Sequence, residues 1–242
     1  MTLIFHASDL HFGAEDRAAL DWFAARVAAE RPDAIIITGD LTMRARHREF
    51  HAARQWMASL GTPIHVEMGN HDMPYFNPVE RIWRPYQRYQ RMAASLDAPL
   101  MVDGVAVVPL RTTSRAQWRL NWSKGVVRPR ALDGAIAGLA TAQNCPVRLI
   151  AAHHPLVETG TRGTALTHGG NRALHALASA GASAILSGHV HDPFDLMFAG
   201  KGASIRMIGA GTLSERLRST APSFNRLTIS GGNIALAVVA MG

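Results

Sequence analysis

The chain has 242 residues, 48% of them hydrophobic, and a formal net charge of +7. That length buries most of its apolar surface without cross-links, and the composition excludes a disordered chain. Cys145 is the only cysteine, which excludes an intramolecular disulfide and a thiolate metal cluster and suits a reducing compartment. The segment Met1–Asp9 lacks the basic and apolar regions of a signal peptide, and no apolar run approaches the ~20 residues of a membrane span. The expectation is therefore one cytoplasmic domain over residues 1–242. Lys124 and Lys201 are the only lysines among 25 basic residues. The arginines are spread along the chain, so most read as solvated faces, with attraction of anionic substrates as the alternative.

In chain order, short apolar, β-prone runs each lead directly into polar residues. Leu3–Phe5 leads to Ser8-Asp9-Leu10-His11, and Ala34–Ile37 to Gly39-Asp40. Ile64–Val66 leads to Gly69-Asn70-His71-Asp72, and Leu149–Ala152 to His153-His154-Pro155. Ala184–Leu186 leads to Gly188-His189-Val190-His191. Between the early runs, residues 16–30 (Leu20, Phe23, Ala24, Val27, Ala28) and 47–60 (Phe50, Ala53, Met57, Leu60) carry helical spacing. Residues 171–180 form another short helix. Strands follow at Ser204–Ile208, Phe224–Ile229 and Ile234–Val239, the last two joined by the hairpin signal Gly231-Gly232-Asn233. Alternating strands and helices imply an α/β core.

Ligand sites in α/β sheets lie outside the carboxyl ends of strands, so these five loops can converge. Together they hold Asp9, His11, Asp40, Asn70, His71, Asp72, His153, His154, His189 and His191. Carboxylate, imidazole and amide oxygen without thiolate suit manganese, iron or zinc better than calcium. Asp9-x-His11 and His189-x-His191 are i, i+2 pairs, which on extended backbone point the same way and reach one metal or two adjacent ones. Each motif alone has an ordinary reading as a turn or capped strand end. Five in order, each after a strand, do not.

On these blocks the sequence resembles the calcineurin-like metallophosphoesterase family. Its ordered motifs D-x-H, G-D, G-N-H-D/E, H and G-H-x-H are all present. The flavour of the bacterial branch with class III cyclic-nucleotide phosphodiesterases lies in Thr38–Thr42, His153-His154-Pro155, Leu120–Ser123 and Ser223-Phe224-Asn225. The resemblance implies an α/β fold of two packed mixed β-sheets flanked by helices, a four-layer sandwich. It implies two divalent or mixed-valence metal ions, with Mn²⁺ or Fe ahead of Zn²⁺. One would be held by Asp9, His11, Asp40 and His191, and the other by Asp40, Asn70, His153 and His189, with Asp40 bridging. His153 is chosen over His154 because the family's ligand stands two residues before the proline. A bridging hydroxide would attack a phosphodiester in line, with a cyclic nucleotide as one candidate substrate. Asn70, His71 and His191 would contact the substrate, and His71 would protonate the leaving alkoxide, oriented by a hydrogen bond to Asp72. Related enzymes often dimerise, and no self-complementary stripe here demands it.

Other segments are weaker signals. Arg81–Arg91 interleaves basic and aromatic residues, which suits stacked bases or an anionic membrane surface. The plainer expectation is a helix packing Trp83 and Tyr86 against the core with arginines outward. Arg44, Arg46 and Arg48 read as a solvated helix face. Arg115, Trp118, Arg119 and Trp122 are substrate-contact candidates by position, and Thr159–Gly170, which includes His168, is a candidate lid. His6, His47, His51, His65 and His175 have no motif context. The leading partner is a small anionic phosphoester. The alternatives are a nucleotide-linked lipid, a glycerophosphodiester or nucleic acid as substrate, or a non-catalytic binding scaffold, which would be expected to have lost ligands.

Overall fold

The computed structural model describes residues 1–96, 102–115, 123–200 and 203–242. One sheet has the order β10-β9-β1-β2-β3, built from β1 (Thr2–Ala7), β2 (Ala34–Ile37), β3 (Ile64–Val66), β9 (Ser223–Ser230) and β10 (Asn233–Ala240). The other runs β4-β5-β6-β8-β7, from β4 (Val105–Pro109), β5 (Val147–Ala151), β6 (Ala184–Ser187), β7 (Phe194–Gly200) and β8 (Ala203–Gly209). Helices α1 (Arg17–Glu30), α2 (His47–Ser59), α3 (Pro78–Trp83) and α4 (Gln87–Ala93) precede β4, while α5 (Pro129–Thr141) and α6 (Gly170–Ser179) flank β5. No described helix is long and apolar enough to cross a membrane.

The two-residue period of the strands builds the layers. In β1, Phe5 and Ala7 face outward and pack with Leu20, Phe23 and Val27 of α1 and Phe50, Ala53 and Met57 of α2. Phe23 meets Phe5 at 6.0 Å and Phe224 at 5.0 Å between ring centroids. Ile4 and Ile36 face inward and meet Leu149, Leu186 and Ile208 of the opposing sheet. Leu132 and Leu139 of α5 and Leu174 and Leu177 of α6 cover the outer face of the second sheet. The result is helix, sheet, sheet, helix, as the family resemblance implied. α1 starts where Asp16 accepts the Ala19 N–H at 3.1 Å and stops at Arg31 in left-handed backbone (φ 49°).

His6 occupies an unusual place between the sheets. It is fully buried, its Nε2 lies 3.0 Å from Thr38 Oγ1, and Asn225 Nδ2 donates to its Nδ1 at 3.2 Å. The same amide lies 2.9 Å from the Gly209 carbonyl, so one polar link joins β1, β9 and β8. Burial pushes the His6 pKa down to about 3, against the pull of Asp9.

Residues 81–91 depart from expectation. They form the end of α3 and the start of α4, and Trp83 is 79% exposed while Arg81 is 7% exposed. The Arg81 guanidinium donates to the carbonyls of Arg115 (3.2 Å) and Pro74 (3.3 Å), which explains the inversion. The segment is held by Tyr89 donating to the Val66 carbonyl at 2.7 Å and by Arg88 paired with Glu80. Three elements absent from the expectation also appear: β4, β7 and α5. β7 pairs antiparallel with β8, while β5, β6 and β8 are mutually parallel.

Candidate metal centre

Because β1, β2 and β3 are parallel, and β5, β6 and β8 are parallel in the facing sheet, their carboxyl ends deliver six loops to one region. The loops lock onto one another. Asp9 N–H donates to the Gly39 carbonyl at 3.0 Å, His11 N–H to the Asp40 carbonyl at 2.9 Å, and Gly188 N–H to the His153 carbonyl at 2.9 Å. His71 N–H donates to Asp40 Oδ1 and His189 N–H to Asp9 Oδ2, each at 2.8 Å. Glycines permit this approach. A Cβ at Gly69 would fall 2.0 Å from Asp40 Oδ1, and one at Gly188 1.7 Å from Ser8 Oγ.

Eight described non-glycine residues have positive φ, and five are Asp9 (56°), His11 (46°), Asp40 (51°), His189 (69°) and His191 (62°). The i, i+2 pairs are therefore not on extended backbone. Each such residue costs of order 1 kcal/mol or more, and that strain is concentrated where the side chains meet. The reward is convergence onto two neighbouring sets of donors. Asp9 Oδ1 lies 3.1 Å from His191 Nε2 and 3.6 Å from His11 Nε2, and the two Nε2 atoms are 3.3 Å apart. His153 Nε2 lies 3.2 Å from Asn70 Oδ1, with the His189 ring 5.2 Å away between centroids. Asp40 Oδ2 stands between, 3.8 Å from His11 Nε2 and 3.4 Å from His153 Nε2.

This donor set fits cations. Asp9 Oδ1 is buried with no hydrogen-bond partner among the described residues, an expensive state for a carboxylate oxygen. The far nitrogens of two rings are already committed: His153 Nδ1 to the Thr38 carbonyl at 2.7 Å and His191 Nδ1 to the Arg216 carbonyl at 2.6 Å. Such outer contacts fix the tautomer that leaves Nε2 as a ligand atom. His154 is close enough to His153 and His189 to share a metal by distance alone. However, its Nδ1 lies 2.9 Å from Thr112 Oγ1 and its Nε2 2.9 Å from the Ser123 carbonyl. Both nitrogens are turned to Thr112 and Ser123, whereas His153 Nε2 faces Asn70 and Asp40 of the donor set.

Burial and charge act against each other throughout. Burial works to raise Asp9, but His191, His11 and His153 outweigh it and hold the carboxyl well below its ordinary range. Asp40 is likewise held low, against burial, by His153, His71 and His11. Burial opposes a charged His153, yet Asp40 beside it lifts the ring to about 9. Burial, then His153, pushes His189 down to about 3.

Among the described residues, the Asp72 carboxylate makes no hydrogen bond to the His71 ring. Its oxygens accept from Leu41 N–H (3.1 Å), Thr42 N–H (2.8 Å), Thr42 Oγ1 (2.9 Å) and Gly69 N–H (2.9 Å). Burial, then the charge of Asp40, raises its pKa to about 7 against those backbone donors. It fastens the loop after β2 to the loop after β3. His71 is oriented instead by the Met43 carbonyl, 2.8 Å from Nδ1, which leaves Nε2 toward the cleft.

There Nε2 of His71 meets Arg216 Nη1 at 3.0 Å, and the same guanidinium nitrogen lies 3.4 Å from His11 Nε2. Arg216 follows β8 and was not among the expected site residues. Its signal was Ser214-Glu215-Arg216-Leu217-Arg218, another polar run just beyond a strand. The cleft over the donors has a volume of about 270 Å³ and is also lined by Lys124, Arg162, Gly163, Thr164 and Arg218. Thr159–Gly170 thus supplies one wall, tied down through Glu158, which accepts from Ala165 and Leu166 N–H (3.2 and 2.9 Å), and through His168 N–H to the Gly125 carbonyl (2.9 Å). Arg44, Arg46, Arg48 and Arg115 do not line the cleft; Arg44 and Arg46 stack over Phe76. Trp118, Arg119 and Trp122 lie outside the described residues.

The fold has relatives of known structure. A dimetal phosphatase from Danio rerio superposes with a TM-score of 0.71 at 13% identity, covering 98% of this chain and 95% of its own. The purple acid phosphatase PPD1 of yellow lupin (Lupinus luteus) also gives 0.71, at 14% identity, over 98% of this chain and 51% of the lupin chain. In sequence, 81 residues are 30% identical to the glycerophosphodiester phosphodiesterase GpdQ of Enterobacter lignolyticus (strain SCF1); the match spans only 29% of either protein. Residues 2–193 match the family described as calcineurin-like phosphoesterase. That stretch carries every motif loop from Asp9 to His191, and by it the chain belongs to the calcineurin-like phosphoesterases.

Proposed function

We propose that this protein is a phosphodiesterase with a dinuclear metal centre. One metal would be held by Asp9, His11, Asp40 and His191, and the other by Asp40, Asn70, His153 and His189. The observation that carries the reading is the position of Asp40 Oδ2, within 3.8 Å of His11 Nε2 in one donor set and 3.4 Å of His153 Nε2 in the other. Imidazole and carboxylate ligands favour manganese or iron, with zinc also accommodated. When bound, two such cations supply Lewis acidity for the phosphoryl oxygens and an activated water.

The chain's own residues do the rest. The strained, mutually bonded loops hold the donors in place before substrate arrives. Asn70, His71 and His191 line the cleft and would contact the phosphoryl group there. With its Nδ1–H donating to the Met43 carbonyl, the His71 ring would need a second proton on Nε2, the nitrogen facing the cleft, and would pass that proton to the leaving oxygen. The similarity to part of a glycerophosphodiester phosphodiesterase supports a small diester. Cyclic nucleotides and glycerophosphodiesters are the first two classes to try.

The test is hydrolysis of bis(4-nitrophenyl) phosphate and 4-nitrophenyl phosphate by chelated protein, with Mn²⁺ restored, beside Asp40→Ala. Metal-dependent activity favouring the diester supports the reading. Activity confined to the monoester makes the protein a phosphatase, and none with metal-loaded protein removes the enzymatic reading.

A further inference from the structure

The cleft carries more positive charge than one diester requires. Four of its twelve lining residues are Lys124, Arg162, Arg216 and Arg218, in a chain with 25 basic residues among 242. Asp40 is the only carboxylate lining it among the described residues, and it belongs to the donor set. The wall is assembled from three separate places: the turn at Lys124, the loop between β5 and α6, and the segment after β8.

These cations do different things. Arg216 is half-buried and lies against His71 and His11, as described above, within reach of the phosphoryl group being cut. Lys124 Nζ donates to the Thr164 carbonyl at 2.9 Å and so fastens the wall. Arg162 and Arg218 are exposed side chains that engage no carboxylate or carbonyl among the described residues. A phosphodiester carries a single negative charge, which Arg216 is placed to meet. Two further guanidinium groups on the same cleft have no charge to match unless the substrate brings one. Guanidinium is the group best suited to bidentate contact with phosphate.

Building on the phosphodiesterase reading, we infer that Arg162 and Arg218 form a subsite for a second phosphate. The substrate class is then a small phosphodiester carrying an additional phosphate group beyond the ester that is cleaved. The subsite selects for this class over diesters with neutral arms, because an unmatched pair of arginines gains nothing from a neutral group.

The test uses metal-loaded, full-length protein and two ligand pairs. Binding of thymidine 5′-monophosphate and thymidine 3′,5′-bisphosphate is measured by calorimetry. Turnover is measured on thymidine 5′-(4-nitrophenyl phosphate) with and without a 3′-phosphate. Wild type is expected to bind the bisphosphate at least ~10-fold more tightly and to show a similar preference in kcat/KM, eroding as salt screens the pair. In Arg162→Gln/Arg218→Gln the preference should shrink to within about twofold. Equal binding of the two nucleotides by wild type, or a preference that the double variant keeps, overturns the subsite. Bisphosphate preference that depends on both arginines, with neither ester cleaved, supports the subsite and counts against the phosphodiesterase reading instead.

Discussion

The buried centre and the exposed rim of this cleft are built on opposite principles. At the centre, Asp9, His11, Asp40 and His153 are each no more than 1% exposed, three of them sit in strained backbone, and the loops are bonded to each other. So many desolvated donors in one place fit a metal-binding role. At the rim, Arg162 and Arg218 are exposed side chains. Desolvated groups are costly to leave unpaired, so the centre tolerates no change. Rim residues cost little to replace, so substrate choice is free to vary there.

Substitutions separate the two regions in order of expected effect. Asp40→Ala should remove both metals and lower diester hydrolysis by ~10³-fold or more, with metal content read by elemental analysis; a variant that keeps two metals would break the bridging role. His71→Ala should keep its metals and lose about 10²-fold in kcat, most with poor leaving groups. Full metal loss in that variant would sink this division of labour.

Asp72→Ala leaves three backbone N–H groups unpaired and should cost roughly 3 kcal/mol in denaturant stability. If it lowered kcat at unchanged stability, Asp72 would act on His71 after all. His6 tests the layer beneath the centre. Its folded pKa of about 3 lies below the ordinary 6.5, so its contribution is fully present above pH 6.5 and is lost as pH falls toward 3. Between pH 7 and 5 the metal-free protein should lose about 2 kcal/mol more than His6→Gln does; parallel losses would remove this assignment. The smallest effect is expected at Trp83→Ser, within about 0.5 kcal/mol, and a larger destabilisation would show that Trp83 is covered.

The helices α1, α2 and α6 and the strands that precede the motifs were readable because burial imposes its period on the sequence. α5 was not: Gly134 and Gly138 interrupt its apolar pattern, and only Pro129 at its start announces a helix. β7 was missed because exposed Met197 breaks the look of a core strand. Within the site, the residues proposed as ligands were legible by type, since carboxylate, imidazole and amide side chains are the ones that suit such metals and all of them here follow strands.

The sequence by itself therefore determined which loops matter, which donor types they carry and the family they belong to. Tertiary structure decided what each of these side chains meets. Both nitrogens of His154 meet Thr112 and Ser123, and Asp72 turns to Leu41, Thr42 and Gly69. It also decided that Arg216 joins the site, because β8 pairs in parallel beside β6 and ends at the same rim. These outcomes rest on contacts between residues far apart in the chain, and local pattern carries no record of which strands will lie side by side.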